Sequence, residues 1–261
     1  AAAAEPVDVF LLAGQSNMVG VGHVTDLPPP LAAFQPRIPF FYYGPLGRDP
    51  HPPPPPPLLP LTIGSGNHGG AFGPELLFGR ALSAAFPQRR FALIKYASGG
   101  TDLHRGWHPD APRNQRGPDF GHKAHMLANF HATVRDGLDA LVAAGFEPEV
   151  VGMLWLQGER DSNDPARATA YRDNLEALVA HVRDAYGDDL AFLVAGIREL
   201  DALDRVVLDA QRAVAAADPR AVFFPADGLS SHDPLHFDAN ALVGIGRGFA
   251  AAWASLFPST G

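Results

Sequence analysis

The chain has 261 residues, 46% of them hydrophobic, with a formal net charge of −8 and no cysteine. That length sits at the upper end of a single domain, and the apolar fraction is enough for a substantial core. The acidic balance without any basic block argues against a nucleic-acid partner, no apolar run approaches a membrane span, and disulfides, thiolate nucleophiles and cysteine zinc sites are excluded.

The start, Ala1-Ala2-Ala3-Ala4-Glu5, lacks an initiator methionine. It is either a mature end left by signal cleavage or an arbitrary boundary; the first reading gives an extracellular or periplasmic location as the expectation. Val7 to Ala13 is a near-continuous apolar run, the signature of a buried strand in a parallel sheet. It stops at Gly14, and Ser16 follows. Residues 23–70 are rich in proline and glycine, with Pro28-Pro29-Pro30 and a hexaproline from Pro52 to Pro57. Proline fixes φ and lacks an amide donor, so no regular helix and no central strand is expected there. The hexaproline is read as a stiff polyproline II surface loop rather than a ligand for an aromatic groove. Phe40-Phe41-Tyr42-Tyr43 either packs this loop onto the body or lines a substrate cleft.

Gly73-Pro74-Glu75 opens a helix to about Phe86, with proline and glutamate in its first turn. Arg90 to Ala97 is the second strand and ends in Ser98-Gly99-Gly100-Thr101. A polar loop over 102–119 carries Trp107. A helix is expected from Phe120 to about Ala144, then a strand from Glu149 to Leu156 that ends in Gln157-Gly158-Glu159. Pro165 to Tyr186 is a helix, Leu190 to Ile197 a strand, Leu203 to Ala217 a helix, and Ala221 to Phe224 a short fifth strand. Loop 225–238 holds Asp233 and His236, and Asp238 caps a final helix over Ala239 to Leu256. Strands alternating with helices predict an α/β fold, a five-stranded parallel sheet with helices on both faces. No linker or repeat divides the pattern, so residues 1–261 are read as one domain.

In open α/β sheets ligands sit at the carboxyl ends of strands, where the small-residue turns and the Asp-x-x-His loop should gather. Each supplies something that ester hydrolysis needs. Ser16 offers a hydroxyl, although a serine N-capping the next helix is the plain alternative for an isolated Gly-x-Ser. His236 can take its proton and return it to the leaving alcohol. Asp233 can hold the imidazole's other nitrogen. The amides of Ser16 and Gly99 can face a developing oxyanion, with Gly100 as the other candidate donor, and the Gln157 side chain can add a hydrogen bond. The serine lacks the second glycine of Gly-x-Ser-x-Gly, so the nucleophile elbow of α/β-hydrolases does not fit.

Gly14-Gln15-Ser16-Asn17-Met18, Ser98-Gly99-Gly100-Thr101, Trp155-Leu156-Gln157-Gly158-Glu159 and Asp233-Pro234-Leu235-His236 together resemble the SGNH (GDSL-type) hydrolase superfamily. Within it they are similar to the sialate O-acetylesterase-like branch and to carbohydrate esterase family six, which includes acetyl xylan esterases. The resemblance implies a three-layer α/β/α fold and hydrolysis of acetyl esters on sugars without metal or cofactor. It implies Ser16 as nucleophile, Asp233 and His236 as the rest of a triad, and an oxyanion hole from Ser16, Gly99 or Gly100, and Gln157. Glu159 is read as a structural hydrogen-bonder. The expected partner is an acetylated carbohydrate. A short-chain lipase or thioesterase of the same superfamily, and a non-catalytic sugar-binding protein on the same fold, are the competing readings.

Other polar residues carry weaker signals. His232, four residues from His236, could compete as the base but is read as a loop residue, and Asp227 and Asp238 are rival carboxylates to Asp233, with capping of the last helix accounting for Asp238. His122, His125 and His131 share a predicted helix but lack the His-Glu-x-x-His context of a zinc site. Trp155 and Trp253 are assigned to the core. Trp107, with His104, Arg105, His108 and Arg113, is expected to meet a sugar. Segment 64–70 and the polar loop offer little apolar lining for a long acyl chain.

Overall fold

The computed structural model describes residues 3–33, 35–43, 57–63, 70–110 and 125–257. The hexaproline up to Pro56, residues 64–69, Arg113, Phe120 and His122 lie outside the described residues.

Nine strands run in chain order as β1 (Glu5–Gly14), β2 (Gly22–His23), β3 (Gln35–Tyr42), β4 (Leu59–Leu61), β5 (Ala71–Phe72), β6 (Phe91–Ala97), β7 (Phe146–Leu156), β8 (Ala191–Ala195) and β9 (Ala221–Phe224). The helices are α1 (Ser16–Val19), α2 (Pro29–Ala32), α3 (Glu75–Ala85), α4 (Met126–Ala143), α5 (Glu159–Ser162), α6 (Pro165–Tyr186), α7 (Ala202–Ala217) and α8 (Ala239–Leu256). The main sheet has seven strands in the order β4-β3-β6-β1-β7-β8-β9. Every neighbouring pair is parallel except β3 with β4. β2 and β5 form a separate antiparallel pair. Among the described residues no helix is long and apolar enough to cross a membrane.

The expected five strands are all present, and two more come from the proline-rich region. The exclusion of a central strand there is corrected by β3, which lies between β4 and β6. β3 pairs with β6 through Phe40, Phe41 and Tyr42 only. That stretch follows Pro36 and Pro39 and contains no proline, so every amide needed by the parallel ladder is available. Its aromatic residues favour extended backbone. Pro60 lies on the short edge strand, where a missing donor costs little. α2 is a single turn with proline in its first positions, where an amide would have no partner in any case.

β1 shows why the layers form. Val7, Val9, Leu11 and Ala13 enter one buried cluster with α4, α6 and α7. Phe10 and Leu12 enter the other with α3 and α8. Alternate side chains of a strand point to opposite faces, so the stretch of β1 buried on both sides, Val9 to Gly14, is apolar at every position. Phe40 and Phe41 divide between the same two clusters, Tyr43 donates to Asp136 Oδ2 at 2.6 Å, and the Tyr42 ring faces Lys95 Nζ at 4.9 Å. Of the two readings of these aromatics, packing onto the body is the one observed.

Gly14 is paired with Ala97 on one side and Leu156 on the other, so β1, β6 and β7 end level. The turns that follow them therefore meet at one edge of the sheet. Gly14 has φ 150°, and a Cβ there would lie 2.1 Å from the Leu156 carbonyl oxygen. Only glycine lets the chain leave β1 against its neighbour in this way.

Candidate active site

Ser16 opens α1 directly after this turn. Its Oγ lies 3.1 Å from His236 Nε2, and His236 Nδ1 lies 2.7 Å from Asp233 Oδ2. The Asp-x-x-His spacing has a local cause. Asp233 Oδ1 accepts the backbone amides of Leu235 and His236, each at 2.7 Å, a turn that an aspartate side chain stabilises by itself. The same turn delivers the imidazole to Oδ2. Burial pulls the Asp233 carboxyl upward, but the His236 side chain and the two amides outweigh it and hold the carboxyl at about 2.

The residue after the serine ties the two loops together. Asn17 Nδ2 donates to the Leu235 carbonyl at 3.1 Å, and Asn17 Oδ1 accepts from the Phe237 amide at 3.0 Å. One side-chain amide thus brackets His236 from both sides. Asn17 Nδ2 also donates to Glu159 Oε1 at 2.6 Å, while Glu159 Oε2 is buried and has no hydrogen-bond partner among the described residues. Burial pushes the Glu159 carboxyl up, against the opposing pull of Asn17. Arg198 Nη1 fastens the same loop from outside, donating to the carbonyls of Asp233 and Pro234. Asn17→Ala is expected to lower kcat by about 10²-fold with KM little changed, since a misplacement of the base by about 1 Å has that effect. Steady-state kinetics with circular dichroism of the variant checks it; an unchanged kcat would leave Asn17 as packing only.

Beneath α1, Lys95 is fully buried and donates to Glu75 Oε2 at 2.8 Å and to the Val19 carbonyl at 2.9 Å. Burial lowers its pKa although Glu75 opposes this. The pair fixes the end of the turn that carries Ser16.

An open cavity of about 330 Å³ lies over Ser16, lined by Gln15, Gly99, Gly100, Glu159, Arg160, Asn163, Leu235 and His236. Among the described residues, the amides of Ser16, Gly99 and Gly100 donate to no backbone acceptor. Gly100 has φ 65°, a left-handed turn that glycine adopts without strain.

Two expected contributors are placed elsewhere. Gln157 is fully buried and absent from the cavity wall. Its Nε2 donates to Asp161 Oδ2 at 2.6 Å and to the Thr101 carbonyl at 3.0 Å, and its Oε1 accepts from Tyr171 at 3.0 Å. An amide nitrogen has two hydrogens, and both are committed, so Gln157 aims none at an oxyanion. Trp107 is also fully buried, with ring centroids 5.3 Å from Trp155, 5.8 Å from Tyr96 and 6.0 Å from Phe130. Asp102 accepts the amides of Arg105 and Gly106, and Asp161 those of Leu103 and His104. These bonds fold the polar loop back and drive the indole into the core, not toward a sugar. Asp161, pushed up to about 6 by burial, is the hub of this arrangement. His104, Arg105 and His108 do not line the cavity.

The remaining residues fall as follows. His232 stacks beside His236, Asp238 caps α8 through the Ala241 amide, and Asp227 pairs with Arg212. His131 meets Tyr186 and His181 across α4 and α6, and His125 flanks the start of α4. Arg160 and Asn163 line the cavity without belonging to any of the four motifs, although both follow Gly158-Glu159 within a few residues. Gln15, inside the first motif, lines it too. Its Oε1 accepts the Arg160 amide at 3.2 Å and thereby ties the first turn to the third.

The carbohydrate esterase, sialic acid-specific acetylesterase family model matches residues 6–255. No curated protein sequence matches the chain. Among solved structures, a protein of Arabidopsis thaliana is similar with a TM-score of 0.72 and 23% identity, over 96% of this chain and 98% of that one. A carbohydrate acetylesterase from Xanthomonas citri gives 0.65 and 19%, over 95% of this chain and 56% of that one. NanS gives 0.65 and 14%, over 98% and 97%. At such identities the likeness is one of fold, a parallel sheet between helical layers. The family model spans nearly the whole chain, and the protein therefore belongs to the carbohydrate esterase, sialic acid-specific acetylesterase family, a family of carboxylic ester hydrolases.

Proposed function

We propose that the protein is a serine esterase that removes O-acetyl groups from carbohydrates, acetyl xylan or related acetylated sugars, through an acyl-enzyme intermediate. The hydrogen-bonded line from Ser16 through His236 to Asp233, at the floor of an open cavity, is the observation that carries this reading. In this mechanism Ser16 Oγ attacks the acetyl carbonyl carbon while His236 Nε2 takes the hydroxyl proton. The oxyanion forms among the amides of Ser16, Gly99 and Gly100. Collapse breaks the ester bond, and His236 passes its proton to the departing sugar oxygen. Water, activated by the same imidazole, then releases acetate and restores Ser16. Gln157 and Asp161 support the turns and make no contact with substrate.

The choice of a short acyl group rests on the cavity wall. Gln15, Arg160, Asn163, Glu159 and two glycines are polar or small, and Leu235 is the one large apolar side chain among these lining residues. A long acyl chain would need an apolar slot, since each buried methylene contributes about 0.8 kcal/mol. Arginine and asparagine instead suit the hydroxyl edge of a sugar. A chain-length series of p-nitrophenyl esters is expected to give the highest kcat/KM for acetate. Assays on acetylated xylo-oligosaccharides and acetylated sialic acid should release acetate. A preference for octanoate would favour the lipase reading, and no release from any acetylated sugar would remove the carbohydrate half of the proposal.

A further inference from the structure

A second imidazole stands next to His236. The rings of His232 and His236 are nearly parallel, 11° apart in plane with centroids 5.9 Å apart. Both present a nitrogen to one atom: Asp233 Oδ2 lies 2.7 Å from His236 Nδ1 and 3.5 Å from His232 Nε2. The three residues offer one ligand atom each, all within 4.8 Å of one another. The side chains of His232 and Asp233 are 39% and 40% exposed, so an ion can reach them from solvent. We propose that His232, Asp233 and His236 form a site for a divalent transition-metal ion of the Zn²⁺ class, and that its occupancy switches the esterase off.

The donor set selects the ion. Two imidazoles and a carboxylate suit zinc, with water as a fourth ligand, whereas calcium and magnesium prefer oxygen throughout. Bond lengths of about 2.0–2.2 Å place neighbouring ligands of a tetrahedral zinc roughly 3.3 Å apart. The two observed separations from Asp233 Oδ2 lie on either side of that value. Small rotations of partly exposed side chains close the difference.

The inhibitory effect follows from the tautomer, and it rests on the role given to His236 under the proposed function. A neutral imidazole has a single N–H. Hydrogen-bonded to Asp233, His236 carries it on Nδ1 and offers a lone pair on Nε2 to the Ser16 hydroxyl. Coordinated through Nδ1, it must carry the proton on Nε2. A proton acceptor becomes a donor facing Ser16 Oγ, and general-base chemistry stops without any change of fold.

The experiment has a binding arm and an activity arm. Zinc chloride is titrated calorimetrically into metal-free wild-type, Ser16→Ala and His232→Ala proteins, and p-nitrophenyl acetate hydrolysis is followed with zinc and after EDTA. Wild type and Ser16→Ala should bind zinc equally, and His232→Ala should bind it at least about tenfold more weakly. Wild-type hydrolysis should fall with zinc and return with EDTA. His232→Ala should turn over normally without metal and stay active at zinc levels that silence wild type. No binding to wild type would overturn the site. So would undiminished binding to His232→Ala, which would place the ion elsewhere, such as at His131 and His181, whose Nε2 atoms are 2.9 Å apart. His232-dependent binding that leaves hydrolysis untouched would overturn the switch. Binding by a protein that cleaves no ester would refute the proposed function and leave the metal site standing.

Discussion

Ser16→Ala is expected to lower kcat on p-nitrophenyl acetate by about 10⁴- to 10⁶-fold, the scale on which loss of a nucleophile acts. The melting temperature should stay within a degree or two, because the substitution removes very little structure. The Ser16 hydroxyl bonds to His236, and the helix turn is held by the Ser16 carbonyl, which accepts from Gly20 and remains in the variant. Asn17 and Lys95, which fix the turn from above and below, are untouched. The Ser16 amide also remains, so residual activity from oxyanion stabilisation is expected rather than none. A serine-directed phosphonate should add to the Ser16 peptide of wild type and not to the variant. Turnover within tenfold of wild type would remove serine catalysis from consideration, and a phosphonate adduct on another residue would relocate it.

The parallel strands are legible in the sequence because burial on both faces makes them mostly apolar, with Asp8 the one charged residue in the run Val7–Ala13 and Lys95 the one in Phe91–Ala97. The extra strands are not. β3 and β4 carry prolines at Pro36, Pro39 and Pro60, and a rule about the composition of residues 23–70 hides a short aromatic stretch, Phe40 to Tyr42, that pairs with β6. Edge strands need few of their amides, so proline density is a poor guide there.

The site divides in the same way. Ser16, Asp233 and His236 are legible because glycine-flanked serine and Asp-x-x-His are local patterns, and the Asp233 turn closes within the motif itself. Asn17, Asp161 and Gln157 are harder, since what they do depends on partners far away in the chain. Asn17 reaches Leu235 and Phe237 across the fold, and no spacing rule contains that distance. Gln157 shows the opposite failure: an amide in the right turn is read as a donor to substrate, whereas buried neighbours take both its hydrogens. Trp107 is misplaced for a related reason. A polar loop suggests exposure, but the carboxylates of Asp102 and Asp161 satisfy the loop's amides and permit Leu103 and Trp107 to turn inward.

Asp233→Asn separates a charge effect from a structural one. Asn Oδ1 can keep accepting the amides of Leu235 and His236, so the turn should persist. The side-chain NH₂ would then face His236 Nδ1 and donate to it, forcing the imidazole proton onto Nε2. That is the wrong tautomer for a base, and in a buried triad it lowers kcat by about 10⁴. Here Asp233 is 40% exposed, and water screens part of the lost charge, so a fall of about 10²- to 10⁴-fold is expected, with KM nearly constant. The pH dependence carries the sign. A carboxyl held at about 2 is ionised at every pH well above that value, so mild acid does not remove the Asp233 charge from the wild type. An infrared titration of the wild type against Asp233→Asn should therefore show no uptake of a proton by the Asp233 carboxylate as pH falls from 8 to 5. Protonation of that carboxylate within this range would mean that the three hydrogen bonds to it are weaker than their geometry implies.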